Sequence, residues 1–412
     1  MRITGKPNLL KEINKKIVLN ATISHGSVYK AKLAELTKIS KPTIAKLVDS
    51  LVKDNLLKEI GYGEPSQLGG KKPLLYEFNA DAAYVIGSHI RIEEIITAIT
   101  DCRARILFKV IKPIKNDYTV EQIVQIIFDS FNEVIRNSKT EGKRLLGVGI
   151  GMHGIVDHER GILKFAPHFK RWPRDIEFAA MIKDTMSSPI LISIDNDCRI
   201  QACAEKWFGA GKKIRNLIAI ETGPGIAVGV MIDNELYRGK NYVAGEIGHT
   251  TLNPYGPKCF CGNTGCFEVM ASTDRLLKMA KEQLRYNKSS FVYEYSKGNP
   301  DSVNLDLIFD ALNKEDRFAQ KLISDIGYWL GLGIANIIAN YDPDLIVIHG
   351  EYIKGGKFLL DKIFEVINVH MLPEIPKKID IIYSELGKDV GVIGAVSMVL
   401  KDLFLLSLPQ VV

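Results

Sequence analysis

No stretch of this chain approaches the roughly 20 consecutive apolar residues that a membrane-spanning helix needs. The first residues, MRITGKPNLLKEINKK, lack the apolar core of a secretory leader. A cytoplasmic protein with no membrane partner is expected. No internal repeat or low-complexity segment interrupts the sequence, so an ordinary globular fold is left. Cysteine is scarce, six in 412 residues, and half of them crowd into one short stretch. That excludes a secreted disulfide framework, and Cys102, Cys198 and Cys203 read as buried free thiols. With 46% hydrophobic residues, a chain of this length has core enough for two or three domains.

Net charge is also small, +6, but it is unevenly placed. Residues 1–73 hold 14 Lys and Arg against 6 Asp and Glu, an excess of eight, so the remainder is slightly acidic. A basic head on a near-neutral body is the electrostatic footprint of a nucleic-acid-binding protein; a solvated lysine-rich surface would look the same on charge alone. Pattern decides between them. Asn8 precedes Leu9, Leu10, Ile13 and Ile17 at helical spacing; Ser27 is placed to cap a short second helix with Ala31, Ala34 and Leu36 inward. Ser40 caps a third, with Pro42 in its first turn and Ile44, Leu47, Val48 and Leu51 on one face. A gap of a few residues between the second and third is helix-turn-helix spacing. Such a unit lays its last helix in the major groove, where Lys41, Thr43 and Lys46 would meet DNA. Two short strands follow, Leu56–Ile60 and Leu74–Phe78, around a loop whose Gly69-Gly70 lets Lys71 and Lys72 approach phosphates or the minor groove.

The densest chemistry lies in residues 245–272, GEIGHTTLNPYGPKCFCGNTGCFEVMAS, which pack His249, Cys259, Cys261 and Cys266 among glycines and prolines. One His and three Cys make a closed tetrahedral zinc site, structural because no position is left for water. Glu246 and Glu268 flank the ligands, where carboxylates can accept hydrogen bonds from the vicinal hydroxyls of a sugar.

The pattern E-x-G-H followed by C-x-C-G-x-x-G-C-x-E resembles the signature of the ROK family of sugar kinases and sugar-responsive repressors. That resemblance implies sugar contacts from Glu246, His249 and Glu268. Asn196 and Asp197 match the family's E-N-D motif, with Asp195 in place of Glu; Asp197 would be the general base in a kinase and is a binding group otherwise. Gly154, in Gly149–Asp157, is similar to the family's P-G-x-V-D turn on the sugar side. His168 stands where Asn is usual in A-P-N-L-x-x-W; it either reads a sugar hydroxyl or is a plain loop residue. KLAELTKISKPTIAKLVDSLVKDNLL with GGKKP resembles the winged helix-turn-helix of the repressor branch. The implied architecture is a winged helix-turn-helix in residues 1–79 and, in 80–412, a two-lobed α/β body of actin-like (hexokinase-like) fold.

Kinases of the family carry G-x-D-x-G-G-T on the first body strand; here Gly87–Glu93 reads GSHIRIE. The later G-T-G-x-G-x-G becomes Thr222-Gly223-Pro224-Gly225, and His349-Gly350 stands where G-G is frequent. Bulky groups, a carboxylate and a proline replace what approaches triphosphate, so no catalytic residue is expected. The reading is a zinc-braced repressor, dimeric by resemblance, released from a double-stranded operator when a monosaccharide closes its lobes. Xylose comes first and glucose next, because xylose repressors share the lysine-rich head. A sugar kinase with an added DNA-binding head is the alternative, and regulation by a protein partner at the zinc loop is a third.

Overall fold

The computed structural model describes residues 7–64, 72–140, 142–169, 171–186, 190–371 and 379–404. The chain divides into two units, Met1–Asp195 with Ala395–Val412, and Asn196–Gly394.

The first unit begins with three helices, α1 Pro7–His25, α2 Lys30–Thr37 and α3 Lys41–Lys53, and an antiparallel pair, β1 Leu57–Tyr62 and β2 Leu74–Phe78. In α3 the side chain of Ser40 accepts from the Thr43 N–H, Pro42 sits in the first turn, and Ile44, Leu47, Val48 and Leu51 are buried, as the spacing predicts. The earlier helices differ from expectation. α1 starts at Pro7, so Asn8 lies inside it, and Leu10 is half exposed. α2 starts at Lys30, with Tyr29 rather than Ser27 before it, and Leu33 is its buried residue while Ala31 is exposed. The cause is tertiary: Val28 pairs with Tyr76 of β2 through two backbone hydrogen bonds of 2.9 and 2.8 Å, so the chain bends at residues 26–27 and is held in a bridge at Val28 before the helix can start. Lys38 takes a left-handed φ of 57° and turns α2 into α3. Lys30 pairs with Asp49 at 2.6 Å and Lys15 with Asp54 at 2.9 Å, tying α2 and α1 to α3.

From β2 the chain passes through one 3₁₀ turn, Ala80–Ala82, into β3 Ala83–Ile90, β4 Glu94–Asp101 and β5 Ile106–Pro113. Then come α4 Val120–Asn137, β6 Arg144–Met152, a small hairpin β7 Ile155–Asp157 and β8 Ile162–Phe165, α5 Phe178–Asp184 and β9 Leu191–Asn196. The sheet order is β5-β4-β3-β6-β9, with β3 antiparallel to β4 and parallel to β6. Thr119 and Gln122 form a reciprocal cap at the start of α4. Ile123, Ile127, Phe131 and Val134 of α4 enter the core with Ile86, Ile95, Ile99 and Val148 of the sheet.

The second unit opens with α6 Asp197–Trp207, then β10 Leu217–Thr222, β11 Ile226–Ile232 and β12 Glu235–Leu236. A long loop leads to α7 Phe267–Ala271 and α8 Thr273–Gln283, then α9 Phe291–Tyr295, α10 Leu305–Asn313, α11 Arg317–Tyr341, β13 Leu345–Gly350, α12 Gly356–His370, β14 Asp380–Tyr383 and α13 Val390–Phe404. Its sheet order, β12-β11-β10-β13-β14, repeats that of the first unit: three strands in antiparallel succession, then two more beyond the first of them. The repeat exists in topology without a repeat in sequence. Among the described residues α11 alone is long and apolar enough to cross a membrane. Here Leu322, Ile326, Leu330, Ile334 and Ile338 of that helix are buried in the unit's core with Ile218, Ile220 and Val228 of the sheet.

Candidate functional site: a metal centre beside an acidic clamp

The loop between β12 and α7 is shaped by close backbone approach. Gly265 has φ 62°, and a Cβ there would fall 1.5 Å from the Asn253 carbonyl oxygen, so only glycine closes this turn. The closure brings Thr251 opposite Cys266 and Lys258 opposite Thr264. It gathers one ligand atom from each of His249, Cys259, Cys261 and Cys266 within 4.8 Å of one another. Cys261 Sγ lies 3.7 Å from Cys266 Sγ, and Cys259 Sγ lies 3.6 Å from His249 Nδ1. Tetrahedral zinc, with sulfur at about 2.3 Å and nitrogen at about 2.0 Å, sets its ligands about 3.5–3.8 Å apart. The four residues therefore fit that ion. Burial pushes the Cys266 thiol up to about 12, a tendency that a divalent cation opposes.

The acidic groups converge on the same unit. Glu246 opens a 3₁₀ turn, Glu246–His249, and is exposed. Glu268, in α7, accepts a hydrogen bond from the Ile226 N–H at 3.2 Å, which anchors it to the start of β11. Burial raises its pKa, His249 and the Ile226 N–H oppose the rise, and Glu246 adds to it, so the two glutamates lie within electrostatic reach. Asn196 is the last residue of β9 and caps α6, its side-chain oxygen accepting from the N–H groups of Cys198 and Arg199 at 3.0 and 3.4 Å. Asp197, the next residue, is 3% exposed. The Cys198 thiol is driven well above its ordinary range by burial first, then by Asp197, Glu221 and Glu246. Asp197, Glu221 and Glu246 thus all act on Cys198, and Glu246 acts on Glu268.

Two groups went unforeseen. Glu221, the penultimate residue of β10, acts on Cys198 with these acids, and its place just before the Gly223–Gly225 turn was the only signal available. Arg199, 2% exposed, donates to the backbone carbonyl of Tyr242, in the loop that leads to Glu246. Nothing local in the sequence joins those two.

Gly154 and His168 lie in the first unit. Gly154 has φ 124° in the turn between β6 and β7, and His168 sits edge-on to His153 at 5.3 Å. On α3, Lys41 and Lys46 are exposed, while the Thr43 hydroxyl is held by Ser40 at 2.8 Å. Lys72 is exposed, and Lys71 lies outside the described residues. Cys102, Cys198 and Cys203 are buried free thiols.

Comparison with known proteins adds five findings. The sequence model of the ROK family matches residues 92–402. The xylose repressor of Caldicellulosiruptor bescii is 30% identical over 406 residues, 98% of this chain and 99% of that protein. A glucokinase of Thermotoga maritima is 29% identical over 71% of this chain and 90% of its own length. Among solved structures, a ROK family transcriptional regulator homologous to the E. coli MLC protein superposes with a TM-score of 0.83 at 21% identity, covering 96% of this chain and 98% of that one. A ROK family glucokinase from Streptomyces griseus, in complex with glucose and AMPPNP, gives 0.67 at 27% identity over 77% and 99%.

Proposed function

The chain belongs to the ROK family, its body sharing the actin-like fold of the family's sugar kinases, and from that premise we propose that it is a transcriptional repressor released from DNA by a monosaccharide. One observation carries the reading. Repressors match the chain almost end to end, whereas the glucokinases match about three quarters of it. Residues 1–79 act as a winged helix-turn-helix, with α3 in the major groove, Lys41 and Lys46 toward DNA and Thr43 fixing the helix start with Ser40. β1 and β2 flank the wing, and the segment between them in sequence contributes Lys71 and Lys72. The DNA is a double-stranded operator, read by a homodimer in the cytoplasm.

The effector binds in the second unit. Glu246 and Glu268 accept from sugar hydroxyls, and Asp197 with the Asn196 amide completes the clamp. Zinc on His249, Cys259, Cys261 and Cys266 supplies a fixed loop shape. It leaves the chain's own acids to do the binding. The names of the full-length relatives favour xylose first, and glucose follows. The same acids carry out no phosphoryl transfer in this reading. His89 is buried on β3 where a kinase presents Asp, Arg91 is paired with Glu94 at 2.9 Å, and Pro224 at the β10–β11 turn offers no N–H to a phosphate.

Fluorescence anisotropy of a labelled operator fragment, titrated with xylose and glucose, tests this. Xylose is expected to weaken operator binding at least tenfold. Glu268→Gln should abolish the response while leaving operator affinity in place. Indifference to every monosaccharide, or sugar-dependent consumption of ATP that Asp197→Asn removes, overturns the proposal.

A further inference from the structure

We infer that the cavity between α8 and α11 is a second small-molecule site, for an uncharged polyhydroxylated ligand. The cavity measures about 320 Å³, at the small end of ligand pockets. Arg275, Met279 and Glu282 of α8 line one side, and Asp325, Tyr328 and Trp329 of α11 the other.

Opposite charges share this space without joining. The Nε of Arg275 is buried and has no hydrogen-bond partner among the described residues. Burial raises the pKa of Asp325, and Arg275 and Lys321 only oppose that at a distance. Among the described residues no ion pair within 4.0 Å links Arg275 to Asp325. Each therefore offers what the other fails to use. A vicinal pair of hydroxyls answers both, one oxygen accepting from Nε and the neighbouring hydroxyl donating to the carboxylate. Tyr328 and Trp329 stand edge to face at 5.1 Å, with Met279 buried beneath, and give an apolar wall for the C–H face of a ring. Glu282 already pairs with Lys278 at 4.0 Å and Lys321 acts on Asp325, so no carboxylate here calls for a charged ligand.

The site is separate from the clamp but reaches it. Asp274, the residue before Arg275, acts electrostatically on Glu268, so a ligand gripping α8 bears on the helix that starts beside the clamp.

The chain has three tryptophans, so Trp172→Phe with Trp207→Phe leaves Trp329 as the only tryptophan, excited at the red edge where the tyrosines do not absorb. That protein is titrated with D-xylose, D-glucose and myo-inositol, and with glucose 6-phosphate and glutamine as contrasts. A saturable change is expected with at least one neutral polyol. It should persist in Glu268→Gln and weaken at least tenfold in Arg275→Ala and in Asp325→Asn. Should the tryptophan-poor protein not fold, saturation-transfer NMR on the otherwise native chain, with and without Arg275→Ala, reads the same binding. No saturable response, one lost in Glu268→Gln, or one confined to glucose 6-phosphate or glutamine overturns the inference. Because the Glu268 variant is scored separately, failure here and failure of the effector clamp are distinguishable.

Discussion

His249, Cys259, Cys261 and Cys266 lie within 18 consecutive residues, and that is why they could be read together before any fold was known. A metal site built from one loop needs only local turns, and glycines such as Gly265 announce them. Partners drawn from distant segments left no such trace. Glu205 shows the contrast: it is 1% exposed, accepts from the Ser384 hydroxyl at 2.5 Å and the Ala210 N–H at 3.0 Å, and lies 3.6 Å from His349 Nε2. Burial raises its pKa and lowers that of His349 to about 3, so both are driven toward their neutral forms. Three segments far apart in sequence meet there, and no periodicity marks the meeting. At the metal loop the expected outcome is definite. Elemental analysis of the purified chain should find one equivalent of zinc, and Cys266→Ser should abolish it. Calorimetry should then show the thermal midpoint falling by at least about 5 °C, on the scale of roughly 2–4 °C per kcal/mol for domains of this size.

Among the elements, α3 was legible because everything that defines it is local: a cap at Ser40, a proline where no N–H is missed, and four apolar residues on one stripe. The start of α2 was not, because Val28 is claimed by Tyr76, nearly fifty residues away, and strand pairing overrode the capping tendency of Ser27. The exposed flank of α3 and its buried stripe make different predictions. Lys41→Ala and Lys46→Ala should each weaken operator binding across all sequences and reduce the slope of log affinity against log salt by about 1, measured by anisotropy over a potassium chloride series. Leu47→Ala opens a cavity in a buried position instead. It should cost about 2–5 kcal/mol and remove binding through unfolding of the head, visible in circular dichroism.

At the scale of the molecule, the helical character of α13 was plain in sequence, but its consequence was not, since its contacts lie hundreds of residues back. Its first residues belong to the second unit and the rest to the first. At Gly394 a Cβ would fall 2.1 Å from the Ile200 carbonyl of α6, the helix that begins at Asp197. One residue later, the Ala395 carbonyl lies 1.9 Å from where a Cβ on Gly149 of β6 would be. Contacts this close leave little room for sliding at either place. The far end reaches the head: Lys16 of α1 donates to the Asp402 carbonyl at 3.1 Å, and the Phe404 ring meets Phe78 of β2 at 5.9 Å, edge to face. The start of α13 therefore packs on α6, and its end on α1 and β2. Phe404→Ala should loosen only the last of these joints. Sugar affinity, measured by calorimetry, should stay within about twofold of the native value, while the factor by which xylose weakens operator binding falls at least fivefold. Should the variant instead lose sugar affinity and keep that factor, α13 would be a support of the clamp and the signal would have to reach the head by another element.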